Sequence, residues 1–266
     1  MKQFQFKKSL GQNFLNDKNV INKIVESADI DKRTLVIEIG PGGGAITELM
    51  VPKAGHALLY EADSRLESHL NELLKGNDNY DIIIGDFLKA DLGGDLIKYS
   101  YDKLYVVANL PYYITTPIIM KFVEECILPE KMVIMVQKEV AYRLSASVGS
   151  RDYGSLTVFL NYYYDIKKLF DVSRNCFTPK PNVDSAIVEM KLKDNRLEVL
   201  DMDLFKRLVR DSFLYKRKTI RNNLKGYNLE VIGNILDKYG FNLSVRAENL
   251  ELEIFVEMAN ELAKNR

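Results

Sequence analysis

Residues 35–44 read Leu35-Val36-Ile37-Glu38-Ile39-Gly40-Pro41-Gly42-Gly43-Gly44. A mostly apolar run stopped by a glycine loop predicts a buried strand that ends at a sharp turn. The following stretch, Ala45 to Lys53, continues as a predicted helix. The same unit recurs downstream. Ala57-Leu58-Leu59-Tyr60 ends at Glu61-Ala62-Asp63, and Tyr80 to Ile84 ends at Gly85-Asp86. Leu104 to Ala108 ends at Asn109-Leu110-Pro111-Tyr112, and Met132 to Val136 forms a fifth strand. Helical spacing covers 18–28 and 64–75, and Ala186 to Leu192 alternates like a late antiparallel strand. Short apolar strands alternating with helices predict an α/β fold, a parallel sheet with helices on both faces.

Beyond Lys193 the texture changes. Leu204, Leu208, Phe213 and Leu214, then Leu229, Ile232, Ile235 and Leu236, then Leu252, Phe255, Val256 and Met258 follow helical periods. The expected division is an α/β domain over 1–194 and a small helical domain over 195–266. The tyrosines Tyr162, Tyr163 and Tyr164 are expected in strand and surface packing.

Composition narrows the chemistry. The chain of 266 residues carries 37 basic and 37 acidic side chains, so a wholly basic nucleic-acid coat is excluded. Two distant cysteines, Cys126 and Cys176, support neither a zinc ribbon nor a redox dithiol, and no metal site is expected. With only His56 and His69, most histidine acid–base schemes lack material. No continuous apolar segment reads as a secretory signal or a membrane span, which points to the cytoplasm.

In open α/β sheets, ligands bind outside the carboxyl ends of the strands. The four polar strand ends are therefore expected to converge on one crevice. The glycine loop is neither the dinucleotide fingerprint, since position 45 is alanine, nor a P-loop. Glu61, 21 positions after Gly40, is placed to accept from ribose hydroxyls and is expected outside the core. Asp86 can accept from an adenine amino group. The implied ligand is an adenosine without pyrophosphate, which S-adenosylmethionine satisfies. Adenine's exocyclic nitrogen is a poor nucleophile because its lone pair is delocalised into the ring. Acceptors such as the Asn109 side-chain oxygen and the Leu110 carbonyl favour the pyramidal nitrogen that methyl transfer requires. Tyr112 can stack on a base taken out of its helix, and Phe177, heading Phe177-Thr178-Pro179-Lys180-Pro181, can close its other side.

Between Lys206 and Lys225 stand Lys206, Arg207, Arg210, Lys216, Arg217, Lys218, Arg221 and Lys225 against one acid, Asp211. Together with Lys2, Lys7 and Lys8, this basic helix can meet RNA phosphates from an otherwise neutral protein.

From end to end the chain resembles the KsgA (RsmA) ribosomal RNA adenine dimethyltransferases. The resemblance rests on Leu10-Gly11-Gln12-Asn13-Phe14-Leu15, Glu38 to Gly42, Asn109 to Tyr112, Gln137-Lys138-Glu139-Val140, Tyr153-Gly154-Ser155-Leu156 and Phe177 to Ser185. Lys216 to Leu224 and Arg246-Ala247-Glu248-Asn249-Leu250 extend it into the helical part. It implies a Rossmann-like class I methyltransferase sheet and methylation of two adjacent adenosines in a hairpin loop near the 3′ end of small-subunit rRNA. It also implies a small-ribosomal-subunit precursor as substrate; a monomer is expected. By motif match, Asn13, Leu15, Gly40, Glu61, Asp86 and Asn109 would bind the cofactor; Asn109, Leu110 and Tyr112 would address the adenine, and Phe177 would cover it. Lys216, Arg217, Lys218 and Arg221 would bind RNA. Gly43 makes the loop more glycine-rich than usual, and Val148 stands where many members have proline.

Three other readings compete. Macrolide-resistance methyltransferases of large-subunit RNA share the adenine motif, but the stretches from Lys216 to Leu224 and Arg246 to Leu250 favour the KsgA type. Intact Glu61, Asp86 and Asn109 argue against a non-catalytic assembly factor, and the basic segment argues against a small-molecule methyltransferase.

Overall fold

The computed structural model describes residues 13–265. Leu10, Gly11 and Gln12 of the N-terminal motif and the lysines at 2, 7 and 8 lie outside the described residues. The chain divides into two compact units. The first runs to Ala141 and resumes over Lys167–Leu192; the second is Tyr142–Ile166 together with the chain from Lys193 onward.

In the first unit the order is β1 (Phe14–Leu15), α1 (Lys18–Ala28), β2 (Thr34–Ile39), α2 (Thr47–Met50), β3 (His56–Glu61) and α3 (Glu67–Leu73). Then come β4 (Tyr80–Ile84), α4 (Leu92–Leu96), β5 (Lys103–Asn109), α5 (Thr115–Glu124), β6 (Lys131–Gln137) and the start of α6 (Lys138–Leu144). After α7 (Ser155–Tyr163), which belongs to the second unit, the chain returns through β7 (Tyr164–Val172), β8 (Phe177–Thr178) and β9 (Ser185–Leu192).

Seven strands form one sheet in the order β4-β3-β2-β5-β6-β9-β7. The pairs β4–β3, β3–β2, β2–β5 and β5–β6 are parallel, and β9 runs antiparallel to β6 with Met135 opposite Ile187. This is the expected α/β class. Every residue of β2 is buried, so its sequence is mostly apolar rather than alternating, with Glu38 the one charged side chain in it. Helix α1 starts at Asp17, whose carboxylate caps the amides of Asn19 and Val20 at 2.9 and 3.1 Å. Its Ile21, Ile24, Val25 and Ala28 join Val36, Leu59, Val107 and Val133 in one core cluster. Burying Ile24 completely stabilises by about 1.5–3 kcal/mol. The predicted helix from Ala45 is regular only over α2. Its coil continues beyond through Glu48 N–H to Gly44 O and Ala54 N–H to Met50 O.

The second unit packs α7 with α8 (Met202–Ser212), α9 (Ile220–Asn223), α10 (Leu229–Lys238) and α11 (Leu252–Lys264). Asp201 and Asn228 cap α8 and α10. The chain thus enters its helical unit finally at Lys193, beside the expected boundary at 194/195, but it also contributes 142–166. The reason is α7. It buries Thr157, Val158, Phe159, Leu160, Tyr162 and Tyr163, and a helix apolar on most sides needs helical neighbours around it. Tyr162 meets Phe205 at 5.5 Å between ring centroids. Tyr162, Tyr163 and Tyr164 are accordingly buried at a helix-to-strand junction, not displayed on a strand surface.

Among the described residues, no helix is long and apolar enough to cross a membrane.

Candidate active site

Strand register assembles the site. Ile39 lies opposite Tyr60, so Gly40 follows beside Glu61; Glu61 lies opposite Ile84, so Asp86 follows two residues on. Asn109 ends β5, which pairs with β2 on its other side. The chain first builds outward from β2 through β3 and β4, then crosses over to β5. A crevice opens where the order reverses. It is a cavity of about 630 Å³ whose walls include Asn13, Leu15, Gly40, Glu61, Asp86, Asn109, Leu110 and Tyr112.

The glycine loop forms the floor. Gly40 and Gly42 have φ of 72° and 58°, a region side chains rarely adopt. A Cβ on Gly42 would also meet the Phe14 ring at 3.0 Å. The amides of Gly40, Gly42 and Gly44 are engaged internally, by Tyr60 O, Glu61 Oε2 and Pro41 O at 2.8 to 2.9 Å. They therefore present no row of free N–H groups to a pyrophosphate. This loop lets a ligand approach closely rather than cradling its charge.

Glu61 departs from expectation. It is 5% exposed, and its two oxygens accept from Gly42 N–H at 2.9 Å and Asp63 N–H at 2.8 Å. It anchors the loop as well as facing the cavity. Burial raises its carboxyl above the usual range, while the Asp63 and Gly42 amides pull it back. Glu38, on the same wall, is 2% exposed and accepts from Thr47 Oγ1 at 2.7 Å. Burial pushes it up to about 8, and the nearby Glu61 adds to the shift. Asp86 accepts from Leu88 N–H at 3.0 Å through Oδ1, and Oδ2 has no donor among the described residues.

Across the crevice, Asn109 donates from Nδ2 to Asn13 O at 3.2 Å, which turns its Oδ1 away from that carbonyl. Leu110 is 1% exposed, and its amide bonds Met135 O at 3.1 Å. The Tyr112 hydroxyl pairs with Ser185 Oγ at 2.5 Å, which holds the ring as a wall. Burial raises the Tyr112 phenol, so it stays neutral.

Phe177 does not join this wall. It is 4% exposed and sits in the core cluster with Leu15, because β8 pairs with β1 and places Phe177 opposite Leu15. The ladder that ties the Phe177 loop to the N-terminal motif turns the ring inward. Three participants had no assigned role: Glu38, Phe14 and Ser185. Glu38 had a signal, a lone acid inside an apolar run. Ser185 closes the motif that Phe177 heads, but no local pattern signals its pairing with Tyr112, 73 residues away in sequence.

In the second unit, Lys216, Arg217 and Lys218 lie not on a helix but on the turn between α8 and α9, and Arg221 lies on α9. All four are exposed. Arg217, Lys218 and Arg221 have no acidic partner among the described residues. Lys216 Nζ donates to Arg151 O at 2.6 Å, which brings Arg151 to the basic segment.

The sequence pattern of the ribosomal RNA adenine dimethylase family matches residues 3–264. Ribosomal RNA small subunit methyltransferase A of Streptococcus thermophilus is 44% identical, over 97% of this chain and 92% of that protein. The protein of the same name from Macrococcus caseolyticus is 44% identical, over 98% and 91%. Among solved structures, a dimethyladenosine transferase from Plasmodium falciparum superposes with a TM-score of 0.78 at 28% identity, covering 94% of this chain and 98% of that one. The 23S rRNA methyltransferase ErmE superposes with a TM-score of 0.77 at 26% identity, covering 94% and 100%.

Proposed function

This chain belongs to the ribosomal RNA adenine dimethylase family, and on that premise we propose that it methylates two adjacent adenosines in the 3′-terminal hairpin loop of small-subunit rRNA. It is an rRNA adenine methyltransferase with a Rossmann-like class I sheet. The small-subunit target draws support from relatives of that name at 44% identity. The substrate is then a small-subunit precursor, met by the helical unit, and the protein works as a monomer in the cytoplasm.

S-adenosylmethionine is the methyl donor in this reading, and the residues present suit it. A glycine floor with the amides of Gly40, Gly42 and Gly44 engaged accepts a nucleoside close to the backbone but presents no row of amides to a phosphate. Glu61 retains lone pairs for ribose hydroxyls beside its two amide bonds, and Asp86 Oδ2 is placed for an adenine amino group. Asn13, Leu15 and Gly40 complete the wall. When bound, the donor supplies an electrophilic methyl group on a sulfonium.

The observation that carries the reading is the orientation of Asn109. Its Nδ2 is held by Asn13 O, so Oδ1 is available to a target amino group at the mouth of the same cavity. Together with the Leu110 carbonyl, it accepts the amino hydrogens and draws the nitrogen lone pair out of conjugation. These dipoles are set before the reaction and act most strongly as charge develops on nitrogen. Tyr112 supplies a fixed ring for the extruded base. Methyl transfer to undermethylated small subunits, large-subunit RNA and a small-molecule panel, with the modified nucleoside mapped, tests the reading. Label at dimethyladenosine in the small-subunit hairpin is the expected result. Label confined to large-subunit RNA would move the protein to the macrolide-resistance group.

A further inference from the structure

Resting on the rRNA-docking reading of the helical unit, we propose that Tyr215 is a base-stacking residue: its exposed ring takes a nucleobase of the rRNA while Arg217, Lys218 and Arg221 hold the adjoining phosphates.

The segment between α8 and α9 carries two exposed apolar side chains, Leu214 and Tyr215, each 61% exposed, directly before the basic run. An exposed aromatic beside cations suits a ligand that offers both a π-face and negative charge. Other tyrosines of this unit are committed. Tyr227 donates to Asp211 Oδ2 at 2.7 Å, Tyr239 to Glu257 Oε2 at 2.7 Å, and Tyr153 to Leu250 O at 3.1 Å. Tyr215 has no partner for its hydroxyl and no ring contact among the described residues.

Its backbone, by contrast, is held on both sides. Asn223 Oδ1 accepts from Tyr215 N–H at 3.3 Å, and Asn223 Nδ2 donates to Tyr215 O at 3.3 Å and to Ser212 O at 2.6 Å. Lys218 N–H closes the turn on Tyr215 O at 2.8 Å. The loop is thus ordered before binding, so a base meets a ring whose main chain needs no further ordering. Lys216 ties this turn to the Arg151 main chain at 2.6 Å, adding an exposed arginine from a distant segment. Stacking is tolerant of sequence because every base has a π-face. The residue would therefore strengthen docking without choosing the methylated nucleotide.

The two kinds of contact separate by salt. Phosphate contacts set the slope of log affinity against log salt, and stacking leaves it unchanged. The experiment measures binding of the full chain to undermethylated small subunits, and to protein-free small-subunit rRNA, across a salt series. Tyr215→Ala should weaken both by about 5- to 150-fold with an unaltered slope, and Tyr215→Leu should do the same. Tyr215→Trp should bind at least as well as the native chain. Far-UV circular dichroism and thermal melting, expected unchanged, check the fold of the helical unit. Native affinity in Tyr215→Ala overturns the proposal. So does a loss seen with the particle but not with the protein-free rRNA, which would indicate a ribosomal-protein contact. Neutralising Arg217, Lys218 and Arg221 reports on the docking reading by itself. If that leaves binding intact, the docking reading fails; if it weakens binding while Tyr215→Ala does not, only the stacking role falls.

Discussion

The side chain of Asn109 is held by the main-chain carbonyl of Asn13, with Nδ2 donating across 3.2 Å between residues 96 positions apart. One end of the amide is anchored on the N-terminal motif, and in the proposed mechanism the other accepts from the substrate. Losing one preorganised polar group of this type costs roughly 10²–10³-fold in rate. Asn109→Ala should show that loss in single-turnover methylation at saturating cofactor and subunit. Asn109→Asp retains an acceptor but loses the N–H anchor, and a negative carboxylate replaces it, so it should also be slow. Near-native single-turnover rates in Asn109→Ala would remove the amino-group acceptor from the mechanism.

Glu61 serves two neighbours as well as the cavity. Glu61→Ala leaves the amides of Gly42 and Asp63 without their acceptor, at about 1–3 kcal/mol for each buried group. We expect a lower Tm together with weaker S-adenosylmethionine binding. Glu61→Gln keeps acceptor oxygen for one amide and should recover part of the stability. Thermal melts and calorimetric titration measure the two effects separately; an unchanged Tm in Glu61→Ala would show that the carboxylate does not support the loop.

Glu38 makes stability fall as pH rises. Its folded value lies near 8 because burial favours the neutral acid, against an ordinary value of 4.5. The folded state therefore binds more protons than the unfolded chain between these limits. Its contribution is full below about 4.5 and is lost as pH rises toward 8. Glu38→Gln cannot ionise, so its stability relative to the native chain should improve from pH 5.5 to pH 8.5, roughly the window the linkage sets. Parallel melting curves across that range would contradict this account.

Neutralising Arg217, Lys218 and Arg221 should flatten the salt dependence of subunit binding, by up to about 0.7–0.9 log units of slope per lost phosphate contact. Cofactor affinity should stay the same. A native slope in this variant would return these side chains to ordinary solvation.

Some of this was written in the sequence. Local hydrophobic periodicity marks elements, so β2 to β6, α1 and the late antiparallel β9 were legible, as were the polar strand ends that line the crevice. The residues Gly40, Glu61, Asp86 and Asn109 announce themselves because polar or glycine motifs interrupt apolar strands at their carboxyl ends. Other features depended on where the chain goes. The sheet strand β7 mixes charged and apolar residues at an edge of the described sheet and gives a weak periodic signal. Residues 142–166 join the helical unit because α7 buries most of its surface there, a matter of available neighbours. Phe177 turns inward because β8 pairs with β1 over a sequence separation that no local pattern spans. Likewise the Tyr112–Ser185 and Lys216–Arg151 contacts join residues 73 and 65 positions apart. Periodicity determines which face of an element is apolar; only the folded path decides which distant group meets it, and so which oxygen, ring or cation remains for the substrate.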